Sequence, residues 1–208
     1  MALFSSKTHL LFIGDSITAC GRSMLNPLGN GFVANIAREL RKSLPKLQIS
    51  NRGIGGNIIA DLARRWKNDC LSLKPSLISI LIGINDTWRH YDQGMETTLT
   101  DFEEHYRSIL DRTVAALNAT VIICEPFLLP TSDEQKLWHI DLDPKRRLIK
   151  GLAEEYHLQF LPLHSVFQEA VRNVDPLTLT EDGVHPTAEG HKVIADAWLQ
   201  TIMPSMEE

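Results

Sequence analysis

The sequence predicts an α/β fold with a parallel sheet, and three observations support this prediction. Short apolar segments typical of buried strands recur along the chain. Amphipathic segments with helical spacing lie between them. Polar, glycine-containing loops follow most of the predicted strands. This alternation is typical of a sheet with helices on both faces. With 208 residues, we expect one domain spanning residues 1–208.

The predicted strands are compact and rich in Leu, Ile, Val and Phe, as expected where both faces of a sheet are buried. They cover residues 9–13 (HLLFI), 47–50 (LQIS), 77–82 (LISILI), 120–126 (TVIICEP) and 158–163 (LQFLPL).

The predicted helices carry apolar residues at helical spacing and polar residues between them. They cover residues 31–44, 57–71, 99–117 and 143–157, with a last helix from about residue 187 to residue 202. In the segment at 143–157, Asp143 is the expected N-cap and Pro144 the expected first helical residue.

The composition excludes several classes of protein. Hydrophobic residues make up 43% and charged residues 23% of the chain, which is typical of globular domains. The net charge of -5 argues against binding nucleic acid or an anionic membrane. The three cysteines form no metal-binding motif. Because the N-terminal apolar run is too short for a secretory signal or a membrane span, we expect a cytoplasmic protein.

Polar loops follow four of the predicted strands. Gly14-Asp15-Ser16 follows the first strand, residues 51–57 (NRGIGGN) the second and residues 83–86 (GIND) the third. Residues 182–186 (DGVHP) come after the fifth strand, beyond a helical segment. Because the carboxyl ends of parallel strands lie at one edge of a sheet, these loops are expected to form a site there.

The residue types in these loops suit ester or amide cleavage, which needs a nucleophile, a base, an orienting acid and oxyanion donors. Ser16 is a weak nucleophile until an imidazole accepts its proton, and His185 can be that base. Asp182 lies three residues earlier and can accept from the other ring nitrogen. The Ser16 N–H, the Gly56 N–H and the Asn85 side-chain amide can stabilise an oxyanion.

Each motif also has a simpler interpretation when taken alone. A Gly-Asp-Ser sequence after a strand is commonly a helix cap, and Gly55-Gly56 is commonly a loop. Asn85-Asp86 is a helix-start signal, and a histidine before a proline is usually on the surface. The order of all four motifs in one chain favours an active site.

These motifs resemble a known family. GDSIT (14–18), IGGN (54–57), GIND (83–86) and DGVHP (182–186), in that order, are similar to the SGNH subgroup of the GDSL hydrolases. The resemblance implies a three-layer, flavodoxin-like α/β/α sandwich with a five-stranded parallel sheet of order 2-1-3-4-5, the SGNH hydrolase fold. It implies no metal and no organic cofactor.

The resemblance also implies roles for individual residues. Ser16 is the expected nucleophile, and His185 and Asp182 are the expected base and acid. Gly56 and Asn85 are expected to join the Ser16 N–H in the oxyanion hole. Gly56 is preferred to Gly55 because it directly precedes a polar residue. Asp15 and Asp86 are expected to hold the loops rather than to react.

A closer resemblance is to intracellular acetylxylan esterases, which are carbohydrate esterases. It rests on residues 10–22 (LLFIGDSITACGR), 28–34 (LGNGFVA), 51–66 (NRGIGGNIIADLARRW) and 82–92 (IGINDTWRHYD). It implies removal of acetyl groups from acetylated xylo-oligosaccharides. Because members of that branch assemble into homo-oligomers, a homo-oligomer is one expectation. Glu181 departs from the branch, where an aromatic residue often precedes the acid.

Three further residues are candidates for substrate binding. Trp88 can stack on a sugar ring or pack a helix. Arg89 can line the mouth of the site or extend into solvent. Phe127 follows the fourth strand and can form a pocket wall or part of the core.

Two other functions remain open. One is a different acyl hydrolase, such as a general short-chain carboxylesterase, a lysophospholipase or a thioesterase. The other is a non-catalytic module that binds a glycan or a flavin-like ligand. We expect short acyl chains, because the sequence contains no separate lid segment or large apolar insertion for a long acyl tail.

Overall fold

A computed structural model describes residues 8–202 of the chain. Within this range, one sheet of five parallel strands has the order β2-β1-β3-β4-β5. The strands are β1 (His9–Gly14), β2 (Gln48–Gly53), β3 (Leu77–Leu81), β4 (Thr120–Cys124) and β5 (Gln159–Leu161). The predicted strand order 2-1-3-4-5 is therefore confirmed.

The register of the sheet aligns the carboxyl ends of its central strands. Gly14 at the end of β1 pairs with Gly53 at the end of β2 and with Leu81 at the end of β3. Leu81 in turn pairs with Cys124, the last residue of β4. The loops that leave these strands therefore start at the same edge of the sheet.

Helices cover both faces of this sheet. Those in the described chain are α1 (Ser16–Ala19), α2 (Phe32–Ser43), α3 (Ile59–Asp69), α4 (Ile84–Gln93), α5 (Leu99–Ala116), α6 (Asp133–Leu137), α7 (His139–Glu155), α8 (Leu163–Ala170), α9 (Pro176–Leu179) and α10 (Ala188–Ile202). Short 3₁₀ turns cover Leu71–Leu73 and Val171–Asn173.

Two apolar cores lie between the sheet and its helices, one on each face of the sheet. Side chains alternate along β1, so that Phe12 faces one core and Ile13 the other. The first core contains Phe32 of α2 and Trp198 of α10. The second contains residues of α3, α5 and α7, including Trp66. This arrangement is the predicted three-layer sandwich.

The start predicted for the helix at residues 143–157 is wrong. Helix α7 begins at His139, and Pro144 lies inside it. Asp143 therefore lies within the helix and does not cap it; its carboxylate is 3.0 Å from the Nδ1 of His139 and 2.7 Å from the Nη2 of Arg146. Pro144 has no N–H to donate to the carbonyl of Ile140, and its ring crowds that carbonyl, so the helix is weakened at this point. Burial of the inner face of α7 outweighs that loss.

No helix within residues 8–202 is both long and apolar enough to span a membrane. The same residues include no group of three or more His, Cys, Asp or Glu side chains placed to hold a metal ion. The predicted domain ends, at residues 1 and 208, and most of the N-terminal segment lie outside the described residues.

Candidate active site

Ser16, His185 and Asp182 form a hydrogen-bonded chain at the carboxyl edge of the sheet. The Ser16 Oγ lies 3.0 Å from the Nε2 of His185. The Nδ1 of His185 lies 2.7 Å from the Oδ2 of Asp182. This is the geometry required of a nucleophile, a base and an acid that orients the base.

The loop before α10 holds the acid and the base by its own backbone. The Oδ1 of Asp182 accepts from the N–H groups of Val184 at 3.0 Å and His185 at 2.8 Å. Gly183 allows this tight turn with a φ of 89°. Burial raises the pKa of Asp182, but these bonds and the one from the imidazole outweigh it and lower the pKa below its ordinary value. The carboxylate is therefore ionised at neutral pH.

The turn that carries Ser16 is held by the neighbouring acid. Asp15 caps α1, and its Oδ1 accepts from the N–H of Ile17 at 3.0 Å. Burial raises the pKa of Asp15 to about 7, against the opposing effects of that N–H and of His185. Ser16 is the first residue of α1, so its own N–H has no acceptor within the helix. Asp15 thus stabilises the turn that carries the serine, whereas Asp182 is the acid that contacts His185.

The three expected oxyanion donors lie beside the serine. Gly56 has a φ of 75° and lines the same cavity as Ser16 and Asn85, whereas Gly55 does not line it. The Nδ2 of Asn85 donates to the carbonyl of Asn57 at 3.1 Å. An amide nitrogen carries two hydrogens, so one remains for a ligand. Within residues 8–202, the N–H groups of Ser16 and Gly56 donate to no other backbone group.

The cavity at Ser16 is small, and most of the residues that line it are polar or charged. Its volume is about 230 Å³, and besides the residues already described it is lined by Trp88, Arg89, Asp92 and Gln93. All four belong to α4, so the orientation of this helix sets the shape of the cavity. Two larger grooves, of about 460 and 340 Å³, are lined by none of these residues.

Trp88 and Arg89 both line the cavity and both have protein partners. The Trp88 ring is centred 5.5 Å from the His185 ring and 5.4 Å from the Trp138 ring. The Nη2 of Arg89 donates to the carbonyl of Gly56 at 2.9 Å. Each residue therefore has a packing role and an accessible surface toward the site.

Phe127 does not line the cavity, so its candidate role as a pocket wall is wrong. Its side chain is fully buried in the first core. The ring stacks on that of Phe167, with centroids 3.9 Å apart. The apolar neighbours Leu128 and Leu129, which are also buried, were the signal in the sequence for a core position.

A second layer of buried charges supports the start of α4. Asp86 accepts the N–H of Ile59, at the start of α3, with both carboxylate oxygens at 3.2 and 3.1 Å. Burial raises the pKa of Asp86 to about 7. Behind it, the Oγ1 of Thr87 donates to Asp141 at 2.6 Å, and Asp141 pairs with the fully buried Lys145. Sequence reasoning missed this lysine, because it lies in an exposed-looking run of charges.

A family model gives the decisive comparison. The model of the GDSL-like lipase/acylhydrolase family matches residues 12–193. The chain belongs to this family. The matched range includes every residue of the GDSL-type site described above, from Ser16 to His185.

Individual relatives extend over nearly the whole chain. An acetylxylan esterase from Geobacillus stearothermophilus is 36% identical over 209 residues, covering 95% of this chain and 94% of its own length. The crystal structure of an acetylxylan esterase from that organism has a TM-score of 0.88 and 36% identity, covering 97% of this chain and 96% of its own. An alpha/beta hydrolase from the metagenome of Lake Arreo, Spain, has a TM-score of 0.87 and 27% identity, covering 99% of each chain.

Two further solved structures are of catalytic mutants of the Geobacillus enzyme. One replaces a serine with alanine, and the other replaces an aspartate with alanine.

Proposed function

We propose that this GDSL hydrolase is a serine esterase that removes short acyl groups, above all acetyl, from acetylated carbohydrates such as xylo-oligosaccharides. The observation that carries the proposal is the Ser16–His185–Asp182 chain at the wall of a small cavity with unpaired N–H donors. The family and the similarity to acetylxylan esterases support it.

The first half of the reaction forms an acyl-enzyme. The Nε2 of His185 accepts the proton of Ser16 as the serine oxygen attacks the ester carbonyl. Asp182 keeps the other ring nitrogen protonated and stabilises the imidazolium that forms. His185 then gives its proton to the oxygen of the departing sugar alcohol.

The oxyanion that develops on the carbonyl oxygen is stabilised by fixed donors. These are the N–H groups of Ser16 and Gly56 and the free hydrogen of the Asn85 amide. Each is attached to a group that is already held, so little reorganisation is required in the transition state. In the second half, His185 activates a water, which attacks the acyl carbonyl and restores Ser16.

The size of the cavity supports a short acyl chain. A volume of about 230 Å³ lies below the range of about 300–1,000 Å³ typical of pockets for drug-sized ligands. It suits an acetyl group together with part of one sugar unit. Trp88, partly exposed at the wall, offers an aromatic face on which a sugar ring can stack. One solved structure of the Geobacillus relative is described as an acetyl-xylooligosaccharide esterase.

The alternatives have weaker support. A lysophospholipase or long-chain thioesterase needs an apolar channel, whereas the cavity walls include Arg89, Asp92 and Gln93. A purely binding module does not require a serine hydroxyl aligned with an imidazole. Cytoplasmic location and homo-oligomer formation stay predictions.

The proposal is tested by hydrolysis of 4-nitrophenyl acetate and 4-nitrophenyl octanoate, followed by acetate release from acetylated xylo-oligosaccharides. Ser16→Ala should lower kcat by roughly 10⁴- to 10⁶-fold. Ser43→Ala, at an exposed helix end, is the matched control and should leave kcat unchanged. Ser16-dependent turnover confined to the octanoate would refute the acetyl substrate. Turnover that survives Ser16→Ala would refute the mechanism.

A further inference from the structure

Helix α3 contains a buried arginine that none of the proposed catalytic steps uses. The side chain of Arg65 is only 14% exposed, whereas that of its neighbour Arg64 is 76% exposed. Burial of a guanidinium is unfavourable unless its N–H groups find acceptors. The acceptors of Arg65 therefore indicate what this residue does.

Two of these acceptors belong to different loops of the site. The Nη2 of Arg65 donates to the carbonyl of Gly14 at 2.8 Å, and its Nε donates to the Oδ1 of Asn57 at 2.7 Å. Gly14 ends β1 two residues before Ser16. Asn57 directly follows Gly56. One planar group thus spans the nucleophile loop and the oxyanion loop.

The link continues to the third oxyanion donor. The carbonyl of Asn57 accepts the amide hydrogen of Asn85 at 3.1 Å. A shift of Asn57 therefore moves both the peptide next to Gly56 and the side chain of Asn85. Arg65 is therefore linked to the nucleophile loop by one hydrogen bond and to Asn85 by two, through Asn57.

The remaining nitrogen of Arg65 anchors the guanidinium itself. Its Nη1 donates to the carbonyl of Arg52 in β2 at 2.8 Å and pairs with Asp69 at 3.0 Å. All three nitrogens are therefore engaged in a fixed plane, a geometry that lysine cannot reproduce. Burial lowers the pKa of Arg65, and Asp69 opposes this effect.

We propose that Arg65 is a positioning residue that sets the distance between the nucleophile Ser16 and the oxyanion donors Gly56 and Asn85. This inference rests on the proposed function of those three residues. It assigns to Arg65 no contact with substrate, because Arg65 does not line the cavity.

The expected effect follows from the geometry of oxyanion stabilisation. Donors act only when they lie about 2.7–3.1 Å from the oxyanion, and a misplacement of about 1 Å costs roughly 10²-fold in rate. Loss of the Arg65 link should therefore lower kcat. The KM should change little, because the cavity walls provided by α4 remain in place.

The experiment compares Arg65→Lys and Arg65→Met with the matched control Arg64→Met. The measured quantities are kcat and KM for 4-nitrophenyl acetate, well below the melting temperature, and the melting temperature of each variant. We expect kcat to fall roughly 10- to 10²-fold in Arg65→Lys and further in Arg65→Met, with KM within about twofold of the wild type. Arg64→Met should match the wild type in kcat and KM.

A second variant addresses the link alone and tests the proposal even if Arg65→Met fails to fold. Asn57→Ala removes the oxygen that accepts from Arg65 but keeps the backbone carbonyl that holds Asn85. It should lower kcat, and the double variant Arg65→Lys/Asn57→Ala should lose less than the product of the two single losses.

Each outcome has one meaning. A lower melting temperature with unchanged kcat in Arg65→Lys and Asn57→Ala overturns the positioning role and leaves Arg65 a purely structural residue. Independent, multiplicative losses in the double variant overturn the link through Asn57. If Ser16→Ala retains turnover, the proposed function itself fails, and this inference fails with it.

Discussion

Replacing Asn85 with alanine tests the oxyanion hole most directly. The side chain is buried, and one of its two amide hydrogens is already bound to the carbonyl of Asn57. The substitution therefore has two effects, which differ in size. It removes one donor to the developing oxyanion, and it leaves one backbone carbonyl without a partner.

The two effects can be compared in energy. Loss of one oxyanion donor typically lowers kcat by about 10²–10³-fold, or about 2.7–4 kcal/mol of transition-state stabilisation. Loss of the partner of the Asn57 carbonyl destabilises the fold by about 1–3 kcal/mol. For a domain of this size, that lowers the melting temperature by roughly 2–4 °C per kcal/mol. A protein with about 5–15 kcal/mol of stability remains folded at 25 °C after such a loss.

Steady-state hydrolysis of 4-nitrophenyl acetate at 25 °C measures the first effect, and thermal unfolding measures the second. We expect Asn85→Ala to lower kcat by about 10²–10³-fold while KM stays within about threefold of the wild-type value. The control is Asn173→Ala, at an exposed position, which should change neither quantity. A kcat within threefold of the wild type would refute the assignment of Asn85 to the oxyanion hole.

Three other substitutions probe the rest of the site. Asp182→Asn should lower kcat by roughly 10⁴-fold because the imidazole loses its orienting carboxylate; a fully active variant would move the acid elsewhere. Because burial raises the pKa of Asp15 to about 7, folding favours its protonated form, and this contribution to stability is lost as the pH rises from about 4 to about 7. Between about pH 4 and about pH 7, the melting temperature of Asp15→Asn should therefore fall less than that of the wild type. An unchanged dependence of the melting temperature on pH would contradict the burial argument. Lys145→Met leaves the Asp141 carboxylate without its buried partner and should lower the free energy of unfolding, measured in urea, by about 3 kcal/mol. The exposed Lys150→Met is the control and should not lower it. Equal urea midpoints for the two variants would contradict this prediction.

The local sequence determined the layered fold and the edge of the sheet at which the site forms. Apolar runs such as residues 9–13 and 77–82, alternating with amphipathic helical segments, are typical of strands in a parallel sheet that helices cover on both faces. Chain order and right-handed crossovers then place the loops after β1, β2 and β3 together. Hence Ser16, Gly56 and Asn85 were identifiable as neighbours from the sequence, whereas His185, which follows β5 beyond a helical segment, was assigned as the base from the motif at residues 182–186.

Only the tertiary structure decided where individual side chains point. Phe127 follows a strand at the same edge as Ser16, yet its ring turns into the core against Phe167. Arg65 has the local sequence of a surface residue on an amphipathic helix, and its acceptors Gly14 and Asn57 lie far from it along the chain or in another loop. Sequence patterns report which face of an element is apolar. Which polar groups a buried guanidinium meets depends on how separate elements pack, and no local pattern contains that information.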